Sequence, residues 1–322
     1  MSSCCVGSSY GWLVCLDQYA FPFLLNPFTC QQIQLPPMDC SSLPTFASCS
    51  TLDYLYHDTS VWVERFVKKA ILSSCPSNLN YYYVALIYDE KSSLAFCRVN
   101  GDGSWTKLDG KHAPYEDIII CNQTQLCALG LDGSLEMWDI VEGCISPAKK
   151  MDISSVEIRR REDSQWGRFG NEPDQSLKYY LMESSGGLLL VIRYFEYLLR
   201  EDCYHPLFSS AFPDQTLHFE VFKLDNNHKM WMQVDSLGDH VLFLGGSESI
   251  SIPVVEDCKM LKRDSIYFTG DLWDHRPGEY LFGGHDMGVF SLQDASVECF
   301  YGCHEMEKIE TTPVWVVPHP WF

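Results

Sequence analysis

The chain reads as a succession of short apolar runs cut by turn formers. The clearest stretch is Leu237 to Asp271, LGDHVLFLGGSESISIPVVEDCKMLKRDSIYFTGD. Gly-Asp, Gly-Gly and Arg-Asp breaks divide it into runs each short enough for one strand. The same rhythm extends over most of the sequence. Gly11 to Asp17, Phe23 to Asn26 and Ile33 to Leu35 predict strands, the last closed by Pro36-Pro37. Tyr81 to Tyr88, Leu94 to Val99 and Trp105 to Leu108 predict three more, separated by turn formers at 89–92 and 100–103. Asp117 to Cys121 and Leu126 to Leu131 predict a hairpin, and Asp132-Gly133-Ser134 then leads into Leu135 to Ile140. Asn122-Gln123-Thr124 is better read as the turn of that hairpin than as a glycosylation acceptor.

Later runs repeat the order. Tyr179 to Glu183, Leu188 to Tyr197, Leu217 to Leu224 and Met230 to Val234 predict strands, followed by His240 to Leu244, Ser265 to Thr269 and Gly288 to Leu292. Leu94 to Trp105 and Leu217 to Trp231 each place a tryptophan shortly after a turn. Residues 38–60 read as a long connection, and 143–176 and 199–216 as exposed insertions. Long helical periodicity is absent; Val61 to Leu72 is the one stretch that could be helical. Strands spaced in this way, with a weak repeat of roughly 40 to 50 residues, predict an all-β fold: a single closed β-propeller over residues 1–322, of about six or seven blades. Closure would remove the free sheet edges that invite aggregation.

Composition narrows the function. Hydrophobic residues make up 46% and charged residues 20%, enough for a substantial core. The formal net charge of −20 repels phosphate backbones, so nucleic acid is not an expected partner. No window approaches the length of apolar chain needed to span a bilayer, and Met1 to Gly7 has no signal-peptide pattern, so no membrane association is expected. The 15 cysteines are an odd number with no CxxC, which favours free buried thiols in a reducing compartment, cytoplasmic or nuclear.

Candidate chemistry is sparse. Gly245-Gly246-Ser247-Glu248-Ser249 does not fit GxSxG and has no helix after it, and Gly283 to Gly288 lacks phosphate-cradle spacing, so both are expected to be turns. Cys299, Cys303 and His304 lack the second ligand pair of a zinc module. Trp138-Asp139 and Trp273-Asp274 lack the upstream Gly-His of WD repeats. No acid–base pair emerges, so no enzyme activity, cofactor or metal is expected. Binding is expected on the loop faces. The candidate contacts are the basic run Arg159-Arg160-Arg161 and the loop aromatics Trp166, Tyr204 and Phe208. Trp105 and Trp231 are assigned to the core. The competing reading is a propeller enzyme or sugar-binding propeller, which three or more acidic or histidine side chains without salt-bridge partners at one mouth of the central channel would favour.

Several motifs together resemble the plant F-box proteins that carry a KIB-type β-propeller. They are Gly7-Ser8-Ser9-Tyr10-Gly11-Trp12-Leu13, Leu24 to Pro27, Leu35 to Pro37, Lys69 to Ser74, Leu237 to Asp239 with Leu242 to Gly245, Ser265 to Thr269, Gly288 to Leu292 and Thr312 to Pro318. The match covers nearly the whole chain, and its specificity lies in the joint order of the motifs. The resemblance implies a propeller that captures a protein target, and in such proteins a preceding F-box docks the adaptor of a cullin-based ubiquitin ligase. Six residues precede Gly7, too few for an F-box, so the adaptor is expected as a partner only of a longer form carrying one.

Overall fold

A computed structural model describes residues 3–38, 66–77, 81–100, 103–141, 144–145, 175–196, 215–255, 260–271, 286–300 and 313–318. These residues form 21 strands in five sheets. The first sheet holds β1 (Cys4–Ser9), β2 (Trp12–Leu16), β3 (Pro22–Leu25) and β4 (Gln32–Gln34). The second holds β5 (Val67–Leu72), β6 (Tyr82–Tyr88), β7 (Ser93–Val99) and β8 (Trp105–Leu108). The third holds β9 (Tyr115–Cys121), β10 (Gln125–Gly130), β11 (Leu135–Val141) and β12 (Cys144–Ile145). The fourth holds β13 (Gln175–Ser184), β14 (Gly187–Glu196), β15 (Gln215–Asp225) and β16 (Met230–Val234). The fifth holds β17 (His240–Leu244), β18 (Ile250–Pro253), β19 (Ser265–Phe268), β20 (Gly288–Ser291) and β21 (Val297–Cys299).

The propeller is therefore five-bladed, which corrects the expectation of six or seven. Successive blades begin at Cys4, Val67, Tyr115, Gln175 and His240, 48 to 65 residues apart, so three of the four intervals exceed the expected 40 to 50. Val67–Leu72 is a strand, not part of a helix. The turn at Asn122-Gln123 is confirmed: both residues adopt positive φ, and the Thr124 N–H donates to Cys121 O at 3.1 Å, closing the β9–β10 hairpin. Among the described residues no helix is long and apolar enough to cross a membrane.

Hydrophobic cores lie between neighbouring blades. One joins blades 1 and 2 through Trp12, Val14, Leu24, Val84 and Leu86; the next joins blades 2 and 3 through Ile87, Phe96, Ile118 and Trp138. A third unites blades 3 and 4 around Leu129, Leu190 and Trp231, and a fourth unites blades 4 and 5 around Phe219, Ile266 and Phe290. Blades 2, 3 and 4 are thus covered on both faces. This explains why β6 is a nearly continuous buried run, YYVALIY, where a sheet facing water would alternate. Trp231 is buried as expected, and half-buried Trp105 donates its indole N–H to Pro36 O at 2.8 Å, tying blade 2 to the Leu-Pro-Pro motif.

The last described segment, 313–318, joins blades 5 and 1. The Ser8 hydroxyl donates to Trp315 O at 2.6 Å, while the Trp315 indole N–H donates to Leu244 O at 2.8 Å and its ring meets Phe243 edge-on.

Blade 5 departs from the up-and-down order of the others. Its strand order is β18-β17-β19-β20-β21, and β17 pairs with β19 in parallel. In blades 1 to 4 the first strand is innermost, because β1, β5, β9 and β13 contact one another in turn. In blade 5 the second strand, β18, takes that place against β13. The hairpin β17–β18 therefore feeds its connecting turn, Gly245 to Ser249, into the centre of the ring.

Candidate functional site at the channel mouth

The innermost strands enclose a cavity of about 210 Å³. All five blades contribute. Blade 1 supplies Ser9 and Tyr10; blade 2, Lys69, Ile71 and Leu72; blade 3, Ile118 to Ile120; blade 4, Leu181 and Glu183; blade 5, Glu248 to Ser251. The cavity lies where β1, β5 and β13 end and where β18 begins.

A belt of polar links fixes this mouth. The Leu72 N–H donates to the Ser9 hydroxyl at 3.3 Å, and the Tyr10 phenol donates to Ser73 O at 3.1 Å, joining blades 1 and 2. The Lys69 ammonium is ion-paired to the Asp117 carboxylate, joining blades 2 and 3. Asp117 also accepts from the Leu181 N–H at 2.7 Å and from its neighbour Ile118 N–H at 2.8 Å, carrying the link to blade 4. Ser184 and Ser251 share a hydrogen bond of 2.7 Å between blades 4 and 5. Lys69 and Asp117 are both buried, so each needs the other: either alone would be a desolvated charge.

The polar part of the lining beyond this belt is acidic and hydroxylic. The positive charge of Lys69 is matched by Asp117, leaving the carboxyl groups of Glu183 and Glu248 without a cation in the lining. Among the described residues, Glu248 has neither a hydrogen bond nor an ion pair. Glu248 is half-buried, and desolvation pushes its carboxyl up to about 7, with Lys69 opposing. Burial also raises the Tyr10 phenol, and Glu248 and Glu183 raise it further, which places all three groups in one electrostatic neighbourhood. Ser249 is 7% exposed, and its hydroxyl has no partner among the described residues.

A second polar cluster locks blades 4 and 5 away from the mouth. Arg193 on β14 is wholly buried, and its guanidinium donates to Asp271 and Asp286, each at 2.8 Å, and to the Thr216 hydroxyl at 2.8 Å. The guanidinium also lies over the Phe268 ring, 4.8 Å from its centroid. Burial would raise the Asp271 carboxyl, but Lys178 and Arg193 together hold it below the ordinary value. Every donor of this group is engaged with its neighbours in the seam, so it reads as structure rather than as a site.

The sequence-predicted contacts Arg159, Arg160, Arg161, Trp166, Tyr204 and Phe208 all lie outside the described residues, as do Cys303 and His304. Gly245 to Ser249 is a turn, as expected, yet it delivers the two residues that most shape the cavity. Sequence reasoning set it aside because it matched no catalytic pattern. The usable signal was an acidic residue and two serines inside a turn between strongly apolar strands. Among the described residues the cavity lining brings together two carboxyls without an ion pair, Glu183 and Glu248, where a cluster of three or more would have favoured the enzyme or sugar-binding alternative. Among the described residues no group of three or more His, Cys, Asp or Glu is arranged to hold a metal ion.

Five sheets around one polar channel define the class, a β-propeller. The sequence matches the KIB1-4 beta-propeller family over residues 1–291, and the chain belongs to that family. It is 22% identical to F-box protein SKIP23 of Arabidopsis thaliana, over 98% of this chain and 76% of that protein. It is 21% identical to F-box protein At2g05970 of the same plant, over 99% of this chain and 73% of that one, and 28% identical to F-box protein At2g17036 over a shorter stretch, 45% and 34%. Across the five relatives matched over most of its length, the chain spans 61–76% of theirs.

Proposed function

We propose that this propeller is a non-catalytic protein-binding module, the target-recognition part of an F-box type ubiquitin-ligase subunit. The observation that carries the reading is the channel mouth, to which every blade contributes a polar or apolar lining residue, in a chain whose relatives are named F-box proteins. A rigid ring with a shaped mouth suits recognition, because partner contacts formed there cost little ordering of the binder. Where an F-box accompanies the propeller, it would bring the adaptor of a cullin ligase to the captured target. The buried free thiols of Cys15, Cys75, Cys97, Cys121 and Cys127 support placement in a reducing compartment, the cytoplasm or nucleus.

The test is affinity purification from plant tissue with the full chain as bait. The reading expects one protein enriched reproducibly in near-stoichiometric yield, and its level in the plant to fall when the bait is fused to an F-box. Turnover of a small molecule by the purified propeller, with no protein retained, would overturn it.

A further inference from the structure

We infer that the channel mouth is a socket for a basic side chain, a lysine or arginine presented by the protein partner. This rests on the protein-binding reading above and specifies the chemistry by which the partner is held.

Four observations converge. First, the charge of the lining is one-sided. Lys69 is matched by Asp117, whereas the Glu183 and Glu248 carboxyls have no ion-pair partner among the described residues. Second, the Ser249 hydroxyl is buried, borders the cavity and lacks a partner among the described residues, a vacancy that native interiors rarely leave unfilled. Third, the size fits. At about 210 Å³ the cavity is smaller than the ~300–1,000 Å³ of small-molecule sites, but holds one long side chain. Fourth, the whole chain carries a formal charge of −20, which attracts a basic surface and concentrates its field in a narrow mouth.

The geometry suits a cation at the end of an apolar stem. Ile71, Leu72 and Ile118 to Ile120 offer apolar surface for the methylenes, while the two carboxyls and the hydroxyls of Ser249 and Tyr10 offer acceptors for the head. An incoming cation supplies the charge that Glu248 lacks and draws its proton off. Capture should therefore strengthen as pH rises from 6 to 8. The charged and titratable groups around Glu248 are Glu183 on β13, Tyr10 after β1, and Lys69 on β5 with Asp117 on β9.

The experiment titrates the full chain, by calorimetry at pH 6 and 8, with four capped probes: acetyl-Gly-Arg-Gly-amide, acetyl-Gly-Lys-Gly-amide, acetyl-Gly-Gln-Gly-amide and the diamine putrescine. The inference expects one or both basic peptides to bind, the glutamine peptide to fail, and affinity to be about tenfold higher at pH 8. Glu248→Gln and Glu183→Gln should each weaken binding about tenfold, and Glu248→Gln should abolish the pH dependence, with melting curves confirming that both variants fold. No binding of either basic peptide, equal binding of the glutamine peptide, or tighter binding of putrescine would each overturn it. The tissue purification repeated with the Glu183→Gln/Glu248→Gln double variant separates the two levels. A target retained equally by wild type and variant sinks the socket and leaves the binding module standing; no target with wild type sinks the binding module.

Discussion

Glu248 concentrates the chemistry of the mouth in one carboxyl. The folded protein holds its proton more tightly than the unfolded chain does, because burial raises the group from the ordinary 4.5 to about 7. The stability this provides is complete below the ordinary value and is lost as pH climbs through about 7. Glu248→Gln should therefore melt higher than wild type at pH 8, by about 1–3 kcal/mol of stability, with little difference at pH 4.5. Thermal melts at the two pH values check this; identical pH profiles for the two proteins would show that the carboxyl is not buried as described. Little of this was readable beforehand. Glu248 sits in a turn, where acidic residues are routinely solvated, and only the folding of that turn into the ring gives it an unusual environment. Arg193 was more conspicuous, a lone cation in the apolar run GLLLVIRYFE, but its acidic partners lie 78 and 93 residues away.

At the scale of elements, strand existence was legible and strand placement was not. Leu94 to Val99 became β7 with a one-residue shift, whereas Tyr179 to Glu183 became the middle of a longer β13 that begins at Gln175, within the expected 143–176 insertion; short apolar runs bounded by turn formers have few options but strands. Val67–Leu72 misled because Lys68 and Lys69 break the apolar pattern of a strand. Lys69 is nonetheless buried, and its pairing with Asp117 compensates. The shuffled order of blade 5 left no local trace, since it depends on which neighbour β18 meets. Gly7 shows how closely innermost strands approach one another. A Cβ built there would fall 1.9 Å from the Ala70 carbonyl oxygen on β5. Gly7→Ala should cost about 1–3 kcal/mol by forcing β1 away from β5, read as a lower denaturant midpoint with an unchanged slope. A neutral result would mean that the two strands are not in contact at that point.

At the scale of the molecule, the class of fold followed from the rhythm of the sequence, but the number of blades did not. Blade counting assumed an even repeat, whereas the interval between blade starts varies from 48 to 65 residues. The seam between blades 5 and 1 is also invisible locally, since Ser8 and Trp315 are 307 positions apart. Trp315 bonds to Leu244 and meets Phe243 edge-on while its carbonyl receives the Ser8 hydroxyl, so it holds both sides of that seam. Trp315→Ala should raise hydrogen exchange in β1 and β17 while leaving β9 to β11 protected. Uniform exchange changes across all blades, or none, would show that the ring is not held there.

The central claim is that partners meet this propeller at the mouth of its channel. A photoreactive benzoylphenylalanine at Tyr10, on the mouth, and a second one at exposed Lys107, on the outermost strand of blade 2, test it directly in plant extract. The account predicts one specific protein crosslinked from position 10 and displaced by the basic peptide, with none from position 107. Specific crosslinking from position 107 alone would contradict it.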